Sequence, residues 1–344
     1  MRRHLNTLYV TSDEAWLRKD GENVVVEVEG EVAGRVPLHH LGGIVAFGRA
    51  SLSTPLIGHC ADQGTTISLM TGWGKFRARI DGPISGNILL RRAQYAATQE
   101  EAKCSSIVRS FVTAKMANQR QVLTRFLREH RDDTSDTERR AIENARGALA
   151  AAIRACGKHQ STDGLRGHEG EGAAAYFGVF RFLIRRPDFD FQGRTRRPPT
   201  DPVNALLSLT YALLTHDCRS ALESVGLDPQ AGFLHRDRPG RPSLALDLAE
   251  EFRASFADRF VLSLINRRQV QLSDFETKPG GAVVLKDEPR KEVLAAYQEK
   301  KRAELTHSFL GEKTTTGLLW FLQAQLLARH IRGELDAYPP FLVR

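Results

Sequence analysis

The sequence predicts an α+β chain in which a small N-terminal β-sheet domain is followed by a large α-helical domain. Three observations predict it: short branched runs separated by glycine turns over residues 5–80, a glycine- and proline-bearing linker at 81–86, and apolar residues recurring every three or four positions from 87 onward. At 344 residues the chain is long enough for two domains, each burying its own core. The expected division is 1–80, 81–86 and 87–344.

In the first domain, Val24, Val26 and Val28 alternate with Val25, Glu27 and Glu29, the period of a half-buried strand, while Gly21, Gly30, Gly34, Gly42 and Gly43 punctuate the runs as turns. One short helix interrupts the strands at STPLIGHCADQG, where Ser53 or Thr54 can cap and Pro55 suits the first turn. Residues 87–131 are free of proline and read as helix. RDDTSDTE breaks that pattern, and Thr134, Ser135 or Asp136 can start a second helix running to about 155. GKHQSTDG connects to a helix through LRGHEGEGAAAYFGVFRFLI. Another opens with Asp201 as cap and Pro202 in its first position. Residues 244–266 are helical again, FETKPGGAVVLKDEPR reads as a hairpin turning at Pro279, Gly280 and Gly281, and two helices close the chain. No repeat, heptad or low-complexity tract occurs.

Composition excludes fibrous and disordered classes, with 41% hydrophobic and 26% charged residues. No apolar run reaches the roughly 18–20 residues of a membrane span, so no membrane partner is expected. The basic start MRRHLNTLYVTSDEAW lacks a secretory apolar stretch, and export is not expected. Cys60, Cys104, Cys156 and Cys218 form no CxxC pair and read as packed thiols of a reducing cytoplasm. The net charge of +8 favours polyanions. The arginines are clustered, with Arg181, Arg185, Arg186, Arg194, Arg196 and Arg197 in one stretch and Arg236, Arg238 and Arg241 in another, so each group can neutralise several phosphates.

Glu169 is the most informative position. On a helix it falls within about 60° of Ala173, Tyr176, Phe180, Leu183 and Ile184, in the middle of an apolar face. A carboxylate there is costly unless paired, protonated or bound to a cation. The bland alternative is an arginine of the same domain answering it. His235 stands in GFLHRDRPGRPSLALDLAEEFR, followed by Asp247, Glu250 and Glu251, of which Asp247 shares a face with either glutamate. One imidazole with two or three carboxylates suits Mg²⁺ or Mn²⁺. The alternative for the acids is an ordinary first turn favoured by the helix dipole. Arginines flanking such a cation would grip phosphate, which points to a phosphodiester; otherwise Arg236, Arg238 and Arg241 only solvate a loop.

Weaker candidates fall away. GWGKF lacks P-loop spacing, GAVVLK stands without the other kinase elements, His39 and His40 are adjacent and poorly placed for joint ligation, and no G-x-S-x-G elbow occurs.

Taken together, LRGHEGEGAAAYF, DPVNALLSLTYALL and GFLHRDRPGRPSLALDLAEEFR resemble, in order, the glutamate motif, the asparagine-bearing helix and the histidine–acid motif of a known family. That family is the CRISPR-associated integrase and endonuclease, the first of the two core adaptation proteins, and the resemblance covers nearly the whole chain. It departs from the family pattern at His168 and Gly172, which bear on local helix packing. The resemblance implies that Glu169, His235 and Glu250 are metal ligands for Mg²⁺ or Mn²⁺, that Asp247 lines the same site, and that Asn204 and Tyr211 support it. AKMANQR, with Lys115, Asn118 and Arg120, looks like another family segment. Lys115, Arg120, Arg166, Arg236, Arg238 and Arg241 are the expected DNA contacts.

By the same resemblance the chain is a cytoplasmic homodimer joined through its β domain, and it works with the small companion adaptation protein on double-stranded and branched DNA. The implied reaction is transesterification, in which a spacer 3′-hydroxyl attacks a phosphodiester at the repeat boundary; water in its place makes a nuclease. The rival expectations are an inactive DNA-binding scaffold and a metal phosphoesterase for small nucleotides. A scaffold would show no cation-dependent strand transfer, and a small-nucleotide enzyme no strongly salt-dependent binding of long duplexes.

Overall fold

The computed structural model describes residues 6–72, 76–82, 88–158 and 161–343. Two compact units emerge, one of Met1–Ser85 with Lys286–Ala303 and Thr316–Leu318, the other of Gly86–Leu285, Glu304–Thr315 and Leu319–Arg344. Much of the linker expected at 81–86, and most of GWGKF, lies outside the described residues.

The first unit opens with β1 (Asn6–Val10), β2 (Trp16–Asp20), β3 (Asn23–Val28), β4 (Glu31–Pro37), β5 (Leu41–Phe47), β6 (Ser51–Leu52), α1 (Thr54–Asp62), β7 (Thr66–Met70) and β8 (Phe76–Ile80). They form two four-stranded sheets, ordered β1-β5-β7-β8 and β4-β3-β2-β6. Val24 and Val26 enter a core with Leu17, Ile44, Leu56 and Ile67, as their alternation requires. Val25 is buried as well, so the centre of β3 is covered on both faces, which its alternation with glutamates does not suggest. Ser53 caps α1, its hydroxyl accepting from the Leu56 N–H, and proline occupies the first turn.

The second unit is mostly helical: α2 (Ile88–Gln99), α3 (Glu101–Glu129), α4 (Asp136–Cys156), α5 (Thr162–Val179), α6 (Pro202–Ser224), α7 (Ser243–Phe252) and α8 (Arg259–Asn266), then the hairpin β9 (Phe275–Thr277) and β10 (Val283–Leu285). Ser135 caps α4 through a reciprocal box with Glu138, and the Asp201 carboxylate caps α6 by accepting from Asn204 N–H at 2.8 Å. The single helix expected over 87–131 is two, broken at Glu100, whose backbone is extended. The cause is tertiary: the buried Gln94 amide ties α2 to Asp228 and Ala231, an anchor with no local signature. Likewise, α5 passes into a 3₁₀ turn at Phe180–Leu183, and a π-helical turn at Arg253–Asp258 separates α7 from α8.

Then α9 (Asp287–Arg302) belongs to the first unit, whereas the sequence boundary left it in the second. Its buried Arg290 donates to the Gly72 carbonyl and lies over the Phe47 ring. A hairpin absent from the sequence reading, β11 (Glu304–Thr306) with β12 (Lys313–Thr315), precedes α10 (Leu319–Ile331). In the second unit Trp320 of α10 meets Phe252 and Phe256 edge-on, and Phe341 stacks on Phe252. All four cysteines are buried, and no helix among the described residues is long and apolar enough to cross a membrane.

Candidate active site

The second unit gathers Glu169, His235, Asp247 and Glu250 from α5, a loop and α7. The loop can approach α7 because residue 232 is glycine: a Cβ there would lie 2.6 Å from Ser243 Cβ and 3.0 Å from Asp247 Oδ2. Asp247 then organises the loop. Its Oδ2 accepts the N–H groups of Phe233 and Leu234 at 2.7 and 2.9 Å, and its Oδ1 accepts His235 N–H at 2.9 Å. The same Oδ1 lies 2.6 Å from His235 Nδ1. A carboxylate only accepts, so the neutral ring carries its proton on Nδ1 and leaves the Nε2 lone pair free. Nε2 faces Glu250 Oε1 at 3.9 Å. Asp247 thus orients the imidazole, as carboxylates behind metal-binding histidines do.

Glu250 is 2% exposed. Burial opposes its charge, but first the Arg253 guanidinium and then the Lys115 ammonium outweigh it and hold the carboxyl below its ordinary value. Arg253 Nη1 sits 2.8 Å from Oε1. Lys115 Nζ is 2.9 Å from Oε2, near enough to pair charges but without hydrogen-bond geometry, so that buried oxygen has no donor. Lys115 also pairs with Glu169, the half-buried carboxylate of α5. The answer to Glu169 is therefore a lysine 54 residues upstream, where the bland alternative expected an arginine. Gly172 makes the meeting of α3 and α5 possible, since a Cβ there would lie 2.8 Å from Met116 Sδ. The departure from the family pattern at this position is a packing accommodation beside the site.

Glu169 and Glu250 thus share one cation position, which the lysine ammonium occupies, and the imidazole Nε2 faces the other oxygen of Glu250. Among the described residues no three such donors are drawn in to ligand spacing. Their chemistry nonetheless fits a hard divalent cation: two carboxylates that already face positive charge, one of them with an orphaned buried oxygen, and an imidazole lone pair beside them.

The third acid of α7, Glu251, is directed elsewhere. Its carboxylate accepts from Gln323, Tyr338 and Phe341 N–H, and Asn118 donates to the Glu251 and Phe341 carbonyls. Both residues fasten the C-terminal segment. Burial pushes the Glu251 carboxyl up to about 8 against these hydrogen bonds. None of these acids lies in the first turn of α7, so the helix-dipole alternative does not apply.

Around the acids stands a guanidinium layer. The π turn hydrogen-bonds i to i+5, which stacks residues five apart and brings Arg253 and Asp258 toward Tyr211. The Tyr211 hydroxyl donates to Asp258 at 2.5 Å, and the guanidinium groups of Arg253 and Arg194 both lie over its ring, at 4.9 and 5.3 Å. Asn204 accepts from Arg194 at 2.7 Å and from Thr195 N–H, and donates to the Gly193 carbonyl. It reaches the acids only through this chain of contacts. Arg241 is lowered from its ordinary pKa first by burial, then by Arg238, with Arg197 and Arg253 contributing, so these cations crowd one region.

The remaining expected DNA contacts divide. Arg166 braces the histidine loop, donating to the Leu234 carbonyl at 2.7 Å and to Asp163 at 2.5 Å. Arg236 is exposed and pairs with the same Asp163, Arg238 is exposed, and Arg120 points outward from α3, while Lys115 is buried. The sequence reading did not single out Arg253 or Asp258. Arg253 stands three residues after Glu250, the spacing of a helical ion pair, and that signal was available. Asp258 had none, because its approach depends on the π turn.

An α+β chain whose helical unit turns two carboxylates toward one cation, with an imidazole facing one of them and crowded guanidinium groups beside, defines a class suited to metal-assisted work on phosphodiesters. Residues 8–299 match the family model for CRISPR associated protein Cas1. The chain is 56% identical over 344 residues to CRISPR-associated endonuclease Cas1 2 of Rhodospirillum rubrum, covering 99% of each. It is 51% identical to CRISPR-associated endonuclease Cas1 1 of Chlorobaculum tepidum, covering 100% of each. A solved Cas1 protein from Thermotoga maritima shares the fold with a TM-score of 0.80 at 23% identity, over 96% of this chain and 97% of that one. The chain therefore belongs to the Cas1 family.

Proposed function

We propose that this chain is a cytoplasmic DNA endonuclease and integrase of CRISPR adaptation, joining spacer 3′-hydroxyl ends to the repeat array by transesterification at Glu169, His235 and Glu250. The observation that carries the reading is the cation position shared by Glu169 and Glu250, with His235 Nε2 facing Glu250 and clustered arginines alongside, in a chain of this family. When bound there, Mg²⁺ or Mn²⁺ supplies Lewis-acid stabilisation of charge on the phosphate and assists an oxygen nucleophile. Asp247 keeps the His235 proton on Nδ1 and Nε2 available. Arg238 is exposed and placed to meet phosphate oxygens as a fork, Arg236 is exposed and would exchange its pairing with Asp163 for a phosphate, and with Arg241 they supply the positive rim. Tyr211 packs against Arg253, the partner of Glu250, and Asn204 holds Arg194 over the same ring. Double-stranded and branched DNA, a second copy of the chain meeting through the β-sheet unit, and the small companion adaptation protein are the partners that the family resemblance implies.

The test is joining of a 3′-hydroxyl duplex into a supercoiled plasmid carrying the repeat, with Mg²⁺ or Mn²⁺. Glu169→Gln, Glu250→Gln and His235→Ala are each expected to reduce joining by about 100-fold or more, the range for groups that position transition-state charge. Full joining by Glu169→Gln or His235→Ala overturns the assignment.

A further inference from the structure

We propose that Lys115 is a built-in counter-ion, which holds the metal-free centre together and has to withdraw before a divalent cation can bind. This rests on the reading of Glu169 and Glu250 as metal ligands. Lys115 Nζ pairs with Glu169 and lies 2.9 Å from Glu250 Oε2, with only 6% of the side chain exposed. The ammonium is not a surface charge that found an acid. It is carried inward on α3, next to Met116, which packs into the gap left by Gly172 of α5. Glu250 is already balanced on its other oxygen by Arg253 at 2.8 Å. Two negative and two positive groups therefore share one cluster, buried but for the partly exposed Glu169.

A divalent cation brought between Glu169 and Glu250 would sit against the ammonium at a few ångströms, where like charges repel strongly in a low-dielectric interior. The two cations compete for the same carboxylate oxygens. Lysine suits this role better than arginine, because it is a point charge on a flexible stem and gains no forked geometry from the pair. Once released, the ammonium needs another anion, and a DNA phosphate at the site provides one. Metal and DNA binding are then coupled through this side chain, each favouring the state the other needs. The contact with DNA expected for Lys115 would belong to the loaded state only.

The experiment is Mn²⁺ binding to the full-length chain without DNA, by calorimetry or by loss of the free-ion paramagnetic resonance signal, beside metal-free thermal denaturation. Lys115→Met is expected to bind Mn²⁺ at least about tenfold more tightly than wild type, the change expected from removing one competing charge. Its metal-free melting temperature should fall because Glu169 loses its partner and Glu250 is left with Arg253. Lys115→Gln serves as the second uncharged variant if methionine does not fold, and Lys115→Arg, which keeps the charge, should not bind more tightly than wild type. Unchanged or weaker Mn²⁺ affinity in a folded uncharged variant overturns the proposal. Glu250→Gln separates the two readings: if it binds Mn²⁺ as well as wild type, the ligand assignment fails. If it loses Mn²⁺ while the uncharged Lys115 variants gain nothing, only the counter-ion role fails.

Discussion

Truncating Asp247 separates two roles that clustered acids can play. Its oxygens accept three backbone N–H groups, from Phe233, Leu234 and His235, as well as facing His235 Nδ1 at 2.6 Å. In Asp247→Ala those three donors remain inside a region where the aspartate itself is fully buried. An unsatisfied buried donor costs about 1–3 kcal/mol, and water entering the space recovers part of it, so a net loss of about 3 kcal/mol is expected. For a unit of this size that lowers the melting temperature by about 6–12 °C. The measurement is thermal denaturation in EDTA, with amide hydrogen exchange of the 230–236 segment read alongside. Faster exchange at Phe233, Leu234 and His235 together with the lower melting temperature is the expected result. If the metal-free protein melts like wild type and exchange there is unchanged, Asp247 does not anchor the loop, and any loss of activity comes from direct ligation.

Arg166→Ala removes donations to the Leu234 and Phe233 carbonyls and should cost about 1–2 kcal/mol of metal-free stability, whereas exposed Arg236→Ala should leave stability alone and reduce the salt slope of DNA binding by about one. The reverse pattern would exchange their roles. Asp258 supplies a pH test: burial raises its carboxyl from 3.8 to about 6, against the hydrogen bond from Tyr211. A raised folded pKa means the folded protein holds the proton more tightly, so the stability it contributes is complete below about pH 4 and is lost as pH rises to about 6. Asp258→Asn should therefore gain up to about 3 kcal/mol relative to wild type between pH 4 and pH 7 in urea titrations, and parallel pH profiles would contradict it.

How much of this was legible depended on distance along the chain. Caps at Ser53, Ser135 and Asp201, the Gly281 turn and the change of period are local, and each stands where local chemistry puts it. The break at Glu100, the membership of α9 and the β11–β12 hairpin depend on partners far away, and periodicity carries no word of them. At the site, the apolar setting of Glu169 announced that its charge needed an answer. It did not say that the answer was Lys115, because helix geometry relates residues on one helix and the pair spans α3 and α5.

The three acids of α7 make the limit plainest. Asp247 and Glu251 are about 40° apart around the helix, closer in direction than Glu250 is to either, yet they do unlike work. They are offset by about 6 Å along the axis, and what covers each position decides its chemistry. Over Asp247 lies a loop offering N–H groups, so the carboxylate organises that loop. Over Glu251 lies the C-terminal segment with its Tyr338 hydroxyl, and burial there drives the carboxyl up to about 8. Glu250, turned by about 100° from its neighbour, meets Lys115 and Arg253 and keeps its charge. Only the last combines a charged carboxylate, an oxygen lacking a donor and a facing imidazole. Neighbouring acids of one composition are thus sorted into anchor, fastener and proposed ligand by the segments that fold over them, and those segments arrive from residues 233–235, 338–341 and 115.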